Sequence, residues 1–232
     1  MICIFSNSIS WALPAFYEDW ETGTIDSAKW NKVEYGDITL IQKIRKEGTN
    51  HVLAQEIGAE GRPGYVYVET KSTFATGNGL RITYHQYRVN TNSPKDANFK
   101  ILMGSTLMMH LDWDANPGTL YGYRRVNGGE QAFPVANLGN YLNQWTDWTI
   151  IYTPAAQPNI TIQAYAGSTK IYDVSADIDS MDNVKLQFKT WNNDSNYNKT
   201  RWDDITVYIP EPISLLLIIA LLFLDTGKVL RY

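Results

Sequence analysis

Arg201-Trp202-Asp203-Asp204-Ile205-Thr206-Val207-Tyr208-Ile209 places Ile205, Val207 and Ile209 on one face and Asp204, Thr206 and Tyr208 on the other. A period of two is that of a half-buried β-strand, and this one reads as the last strand of a β domain. Pro210 and Pro212 have no amide hydrogen to give a ladder, so the strand ends there. Working back from it, short strand patterns fill the chain: residues 30–35, 38–41, 51–57, 65–71, 79–89, 105–114, 119–126, 146–153, 159–166, 169–174 and 184–191. Turn signals such as Gly61-Arg62-Pro63-Gly64, Asn78-Gly79 and Asn127-Gly128-Gly129 separate them,. Ile160 to Tyr172, two alternating arms about Ala166-Gly167-Ser168, is the clearest hairpin,. No segment has the apolar spacing of a three-turn amphipathic helix. Many short strands with one apolar face each require two packed antiparallel sheets, since a single sheet would leave that face in water.

Composition narrows the function. Aromatic residues make up 13% of the 232, with 15 Tyr and 8 Trp, which suits a β core or a surface that stacks on flat ligands,. A net charge of -4 and the lack of a basic cluster argue against a nucleic-acid partner,. The single cysteine, Cys3, rules out a disulfide framework or a cysteine zinc site in the body,. It lies in an apolar opening with small residues before Leu13-Pro14-Ala15, which reads as the rear half of a truncated secretory signal over residues 1–15,. Residues 16–209 then form one β-sandwich, and residues 210–232 form a separate tail.

That tail runs Pro210-Glu211-Pro212, then the uncharged run Ile213 to Leu224, then Lys228 and Arg231. It resembles the PEP-CTERM sorting signal of exported bacterial proteins. The resemblance implies a C-terminal apolar helix outside the domain, an exosortase-type processing enzyme as partner, contact with a membrane, and a place in the cell envelope or extracellular matrix of a bacterium. The uncharged run of 12 residues spans only about 18 Å as a helix,, short of the roughly 30 Å of bilayer hydrocarbon. Pairing of Asp225 with Lys228 lets a helix extend toward Leu230. A buried C-terminal helix or an ordinary tail anchor are the other readings.

The body resembles concanavalin A-like lectin/glucanase jelly rolls, the loose group that includes laminin-G-like domains. The resemblance is carried by the opening Phe16 to Asp26 with Trp30, the middle Gln144 to Tyr152, and the close Val184 to Trp191 followed by Trp202 to Val207. It implies an all-β, two-sheet antiparallel jelly-roll sandwich with its first and last strands side by side. Glu18, Asp203 and Asp204 would then come together, and several members of the fold hold a structural calcium there. Carboxylates and carbonyls are the oxygen ligands that this ion takes; the alternative is that these acids cap turns or pair with Lys29 and Arg201.

Three functional readings follow. The first is a lectin-like protein that binds extracellular polysaccharide without catalysis through Trp113, Tyr121, Tyr123, Trp191 and Tyr197, with Trp202 and the amide-rich loop 192–200, because aromatic faces and amides are what sugar rings pack on. Against it stands the tendency of tryptophans near strands to be core. The second is a glycan-degrading enzyme. Alternation puts His110, Asp112 and Asp114 on one face and Leu111 and Trp113 on the other, so the two aspartates are hydrolase candidates, although the E-x-D-x-x-E pattern of laminarinase-type enzymes is missing. Tyr84-His85-Gln86-Tyr87 with Lys189 is the lyase candidate, a Tyr/His acid–base pair beside a cation. The third is a matrix component with no ligand.

Overall fold

The structure is a computed structural model that describes residues 13–60, 62–89, 96–114, 119–133, 136–137, 141–154, 161–175, 181–192 and 197–210. The signal-like residues 1–12 and the tail 211–232 lie outside it, so the sorting segment and its helix are not among the described residues. Among the described residues sixteen strands appear in chain order: β1 (Phe16–Glu18), β2 (Trp30–Tyr35), β3 (Leu40–Glu47), β4 (Asn50–Ile57), β5 (Gly64–Thr70), β6 (Leu80–Arg88), β7 (Asp96–Met103), β8 (Thr106–Asp114), β9 (Thr119–Val126), β10 (Gly129–Ala132), β11 (Ala136–Asn137), β12 (Trp145–Thr153), β13 (Thr161–Ala166), β14 (Thr169–Ser175), β15 (Val184–Asn192) and β16 (Asn198–Tyr208). Among the described residues no helix is long and apolar enough to cross a membrane.

The strands form two eight-stranded antiparallel sheets packed as a sandwich. The first runs β14-β13-β12-β6-β16-β4-β3 with β1 beside β16; the second runs β10-β9-β8-β7-β15-β5-β2 with β11 beside β9. As expected, the chain ends of the domain meet: Phe16 pairs with Val207, Tyr17 with Thr206 and Glu18 with Ile205. The hairpin at Gly167 is present, Ala166 pairing with Thr169 across it. On one side of β16, β4 pairs over Asn198–Trp202 and β1 takes over from Ile205. A bulge falls at that handover, between Asp203 and Thr206, with Asp204 in the left-handed region at φ 47°. The extra residue shifts the alternation, so Trp202 and Ile205 both face inward and both are fully buried,.

Strand β7 was not expected. Its Asp96, Asn98 and Lys100 are residue types that strands disfavour, yet Ala97, Phe99 and Ile101 alternate with them and are buried. Strand β3 extends well past Ile41 to Glu47, paired with β4 as far as Glu47 opposite Asn50. Its Lys43, Arg45 and Lys46 are acceptable because β3 is the edge of its sheet,.

Aromatic rings fill the space between the sheets. Phe188 on β15 sits at the centre, with ring centroids 5.3 Å from Phe99, 5.2 Å from Trp202 and 5.5 Å from Tyr84. Trp20 stacks on Trp30 at 5.2 Å, and Trp113 meets Trp148 edge-on at 5.4 Å. Each large side chain buried in this way contributes about 1.5–3 kcal/mol over its exposed state. A polar bridge fixes how the sheets lie on each other. The Gln55 amide donates to Gln42 (2.7 Å) and to the Phe188 carbonyl (3.1 Å), while its oxygen accepts from Thr190 (2.8 Å) and the Trp202 indole (2.9 Å). Such a buried network is stable because each member is satisfied.

Candidate functional site

With the inward positions of the second sheet taken by the core, the alternate positions form its outward face, and the register arranges them in rows. One row crosses four strands as Tyr123, His110, Lys100 and Gln187. The next holds Tyr121, Asp112, Asn98, Lys189 and Tyr67. Farther along, Trp191 pairs with Tyr65, and Tyr65 with Tyr35. Strand β9 presents its tyrosines outward because Leu120 and Gly122 turn inward, and Gly122 leaves room for Phe133: a Cβ there would lie 2.3 Å from the Phe133 ring.

The face divides into two zones. One is a ladder of near-parallel rings, Tyr35 and Tyr65 at 4.9 Å and 19°, Tyr65 and Tyr67 at 6.0 Å and 20°. The Lys189 ammonium stands 4.2 Å above the Tyr65 ring, a cation–π contact. Burial, with Glu69 and Tyr65 nearby, raises the Tyr67 pKa. The other zone is centred on His110, whose ring meets Tyr123 edge-on at 4.6 Å and 87°. Burial first, then the charges of Lys100 and Lys189, push the His110 pKa down to about 4, so the imidazole is neutral at neutral pH. Neither of its ring nitrogens has a hydrogen-bond partner among the described residues. A neutral imidazole carries one donor and one acceptor, and leaving such groups buried and unmet costs about 1–3 kcal/mol each. Asp112 is held beside it by a hydrogen bond from the Asn98 amide.

The expected binding residues are not all on one surface. Tyr121, Tyr123 and Trp191 lie on this face and are half-buried. Trp113 does not; it is 2% exposed and packs in the core with Leu111, the face that strand alternation had already given it. Trp202 is inside too, turned there by the β16 bulge. Tyr197 is exposed, but its hydroxyl donates to Glu56 on the first sheet. Of the hydrolase pair, Asp112 is on the face; Asp114 stands opposite Asp96 in register, and its side chain is outside the described set. The lyase candidates are separated: Tyr84 is core, and His85 lies on the outward face of the first sheet, across the sandwich from Lys189. His110, Lys100, Asn98, Tyr65 and Tyr67 were missed as site residues. The signal available was the period-two polar set Asp96, Asn98 and Lys100 of β7.

The acids expected at calcium have other partners. Glu18 is 3% exposed, and its oxygens accept from the Trp20 amide (3.1 Å) and the Trp30 indole (3.1 Å), with Lys29 at 3.3 Å. Asp204 accepts from the Tyr17 hydroxyl (3.2 Å) and faces His85 Nδ1 (3.2 Å). Asp203 accepts from the Asp204 amide, and burial raises its pKa to about 6. Among the described residues no group of three His, Cys, Asp or Glu is placed to hold a metal ion. Of the two partners in the alternative reading, Lys29 pairs with Glu18, while Arg201 pairs with Glu56 at 2.6 Å and Glu47 at 2.7 Å.

No family model matches the sequence, and no curated protein matches it. Solved structures with a similar fold include an endo-β-1,4-glucuronan lyase from the fungus Trichoderma reesei, with TM-score 0.60 and 10% identity over 84% of this chain and 95% of that one. The carbohydrate recognition domain of Emp47p has TM-score 0.61 and 11% identity, over 83% and 93% of the two chains. The β-glucanase of Bacillus licheniformis has TM-score 0.60 and 12% identity, over 84% and 98%. At such identity the likeness is one of fold: a two-sheet antiparallel sandwich that this chain shares with a lyase, a carbohydrate recognition domain and a glucanase.

Proposed function

We propose that the protein binds extracellular polysaccharide through the outward face of its second sheet. The observation that carries this reading is His110, a neutral ring with both nitrogens unmet, set among aromatic rings and lysines on one open sheet face. Both nitrogens are covered, so a turn of the His110 ring brings them to two sugar hydroxyls, one donating and one accepting, while the Tyr35–Tyr65–Tyr67 ladder and Trp191 pack against the CH-rich faces of neighbouring sugar units. Similar folds belong to a carbohydrate recognition domain, a glucanase and a glucuronan lyase, which supports a carbohydrate ligand without choosing among them. The tail after Pro212 supports export and attachment to the cell envelope.

His110 also favours a second reading, eliminative cleavage of a uronate polymer. A neutral imidazole takes the C5 proton of the uronate, the electron pair forms the C4–C5 double bond, and the C4–O4 bond breaks. The departing O4 takes a proton from the Tyr123 hydroxyl, and Lys100 or Lys189 balances the sugar carboxylate.

A glycan array, followed by calorimetry and ultraviolet detection of unsaturated sugar ends, tests both. Binding that weakens at least tenfold in Tyr67→Ala and Trp191→Ala, with no unsaturated product, supports the first reading. Unsaturated product that disappears in His110→Ala supports the second. Binding to no polysaccharide overturns both.

A further inference from the structure

The opposite side of the sandwich holds a second assembly of sugar-binding character. The turn at residues 141–144, the start of β12 and the Ala166–Gly167 end of the β13–β14 hairpin bound an open depression of about 240 Å³. Its lining combines two aromatic rings, an amide and a carboxylate: Tyr141, Trp145, Gln144 and Asp147. Trp145 is 41% exposed, whereas Trp20, Trp30, Trp113, Trp148 and Trp202 are all buried. Its ring is backed by Tyr87 of β6, 5.8 Å away and tilted by 59°. Thr146, between Trp145 and Asp147 on β12, turns inward and is buried, so Trp145 and Asp147 share the outward face,.

Asp147 is the more telling residue. Its side chain is 72% exposed, yet its position is fixed: His85 Nε2 lies 3.2 Å from Asp147 Oδ1, His85 Nδ1 lies 3.2 Å from Asp204 Oδ2, and the Tyr17 hydroxyl donates to Asp204 Oδ1 at 3.2 Å. This line of contacts crosses four strands, β1, β16, β6 and β12, and ends at the depression. An exposed ion pair contributes little to stability, so a chain of oriented side chains leading to an exposed carboxylate is the support expected of a binding group. The rims are fixed as well. Asn143, at φ 58°, donates its amide to the Arg88 carbonyl (2.8 Å), and Gly167 donates to the Asp147 carbonyl (2.7 Å).

We propose that this depression is a second saccharide site, taking one neutral sugar ring. Trp145 stacks on the apolar face of the ring, and Asp147 accepts from two adjacent hydroxyls. The carboxylate disfavours a uronate here. With His110 on the other sheet, the domain has two glycan sites on opposite faces, and one molecule joins two polysaccharide chains.

The test is NMR of the full chain with labelled tryptophan, titrated with neutral gluco-, manno- and xylo-tetraoses. The proposal expects one of these to shift the Trp145 indole resonance saturably. Affinity read from that shift falls at least tenfold in Asp147→Asn, which keeps the shape of the side chain, while calorimetry shows the same loss in Trp145→Ala. Tyr67→Ala, on the far sheet, leaves this site unchanged, so failure of the second-sheet reading is distinguished from failure of this one. A Trp145 resonance that none of the three sugars moves overturns the proposal, as does binding equal to wild type in both variants.

Discussion

His110 and Asp203 oppose each other in their response to pH. The His110 pKa is pushed from 6.5 to about 4 by burial and by Lys100 and Lys189. Between these values the unfolded chain carries the proton and the folded chain does not, so His110 makes stability rise with pH across that window. Asp203 runs the other way. Burial raises it from 3.8 to about 6, against the hydrogen bond from the Asp204 amide, which lowers it, so in that range the folded form holds a proton that the unfolded form has lost, and stability falls as pH rises. Asp203→Asn is expected to stabilise the protein by about 1 kcal/mol at pH 7 and to do nothing at pH 3.5; urea titrations at the two values check it. His110→Gln is expected to flatten the acid side of the stability profile, measured as melting temperature from pH 4 to 7. Tryptophan shows what sequence tells at this scale. Leu111 and Trp113 share a face in the alternation, so burial of Trp113 was legible; burial of Trp202 was not, since it depends on an unpaired residue at the bulge.

Among the elements, β2, β5, β7, β8, β9 and β15 carry the side chains of the proposed site, and of these only β7 was not legible. The polar residues that hid β7 are those it puts on the outward face, Asn98 and Lys100, beside Asp112 and His110 of β8. Strand β9 depends on Gly122. Gly122→Ala forces a Cβ against the Phe133 ring at 2.3 Å and is expected to cost about 1–3 kcal/mol, seen as a lower urea midpoint with the same m-value. The packing of the two sheets on each other depends instead on the buried glutamine bridge. Gln55→Leu removes an acceptor shared by Thr190 and the Trp202 indole and is expected to cost about 2–4 kcal/mol through those unmet donors. Chemical denaturation followed by tryptophan fluorescence measures it.

For the whole molecule, the two-sheet sandwich with adjoining termini was readable from strand spacing and from the matching first and last strands. The site was less so: of its residues, Tyr121, Tyr123, Trp191 and Asp112 were legible, while His110, though noticed as a face neighbour of Asp112, took its meaning only from the surroundings that the fold supplies. Strand patterns say which residues point outward but not which sheet they share, and that is why His85 and Lys189 were joined in sequence and are separated in space. The domain closes on its own core at β16, so removal of residues 211–232 is expected to leave the melting temperature within about 3 °C. A drop beyond that would make the tail part of the core. The central claim, that the outward face of the second sheet binds polysaccharide, is tested most directly by calorimetric titration of wild type and Tyr67→Ala/Trp191→Ala with the best glycan from an array. The account predicts a saturable isotherm that weakens at least tenfold in the variant; equal affinity in the two proteins would contradict it.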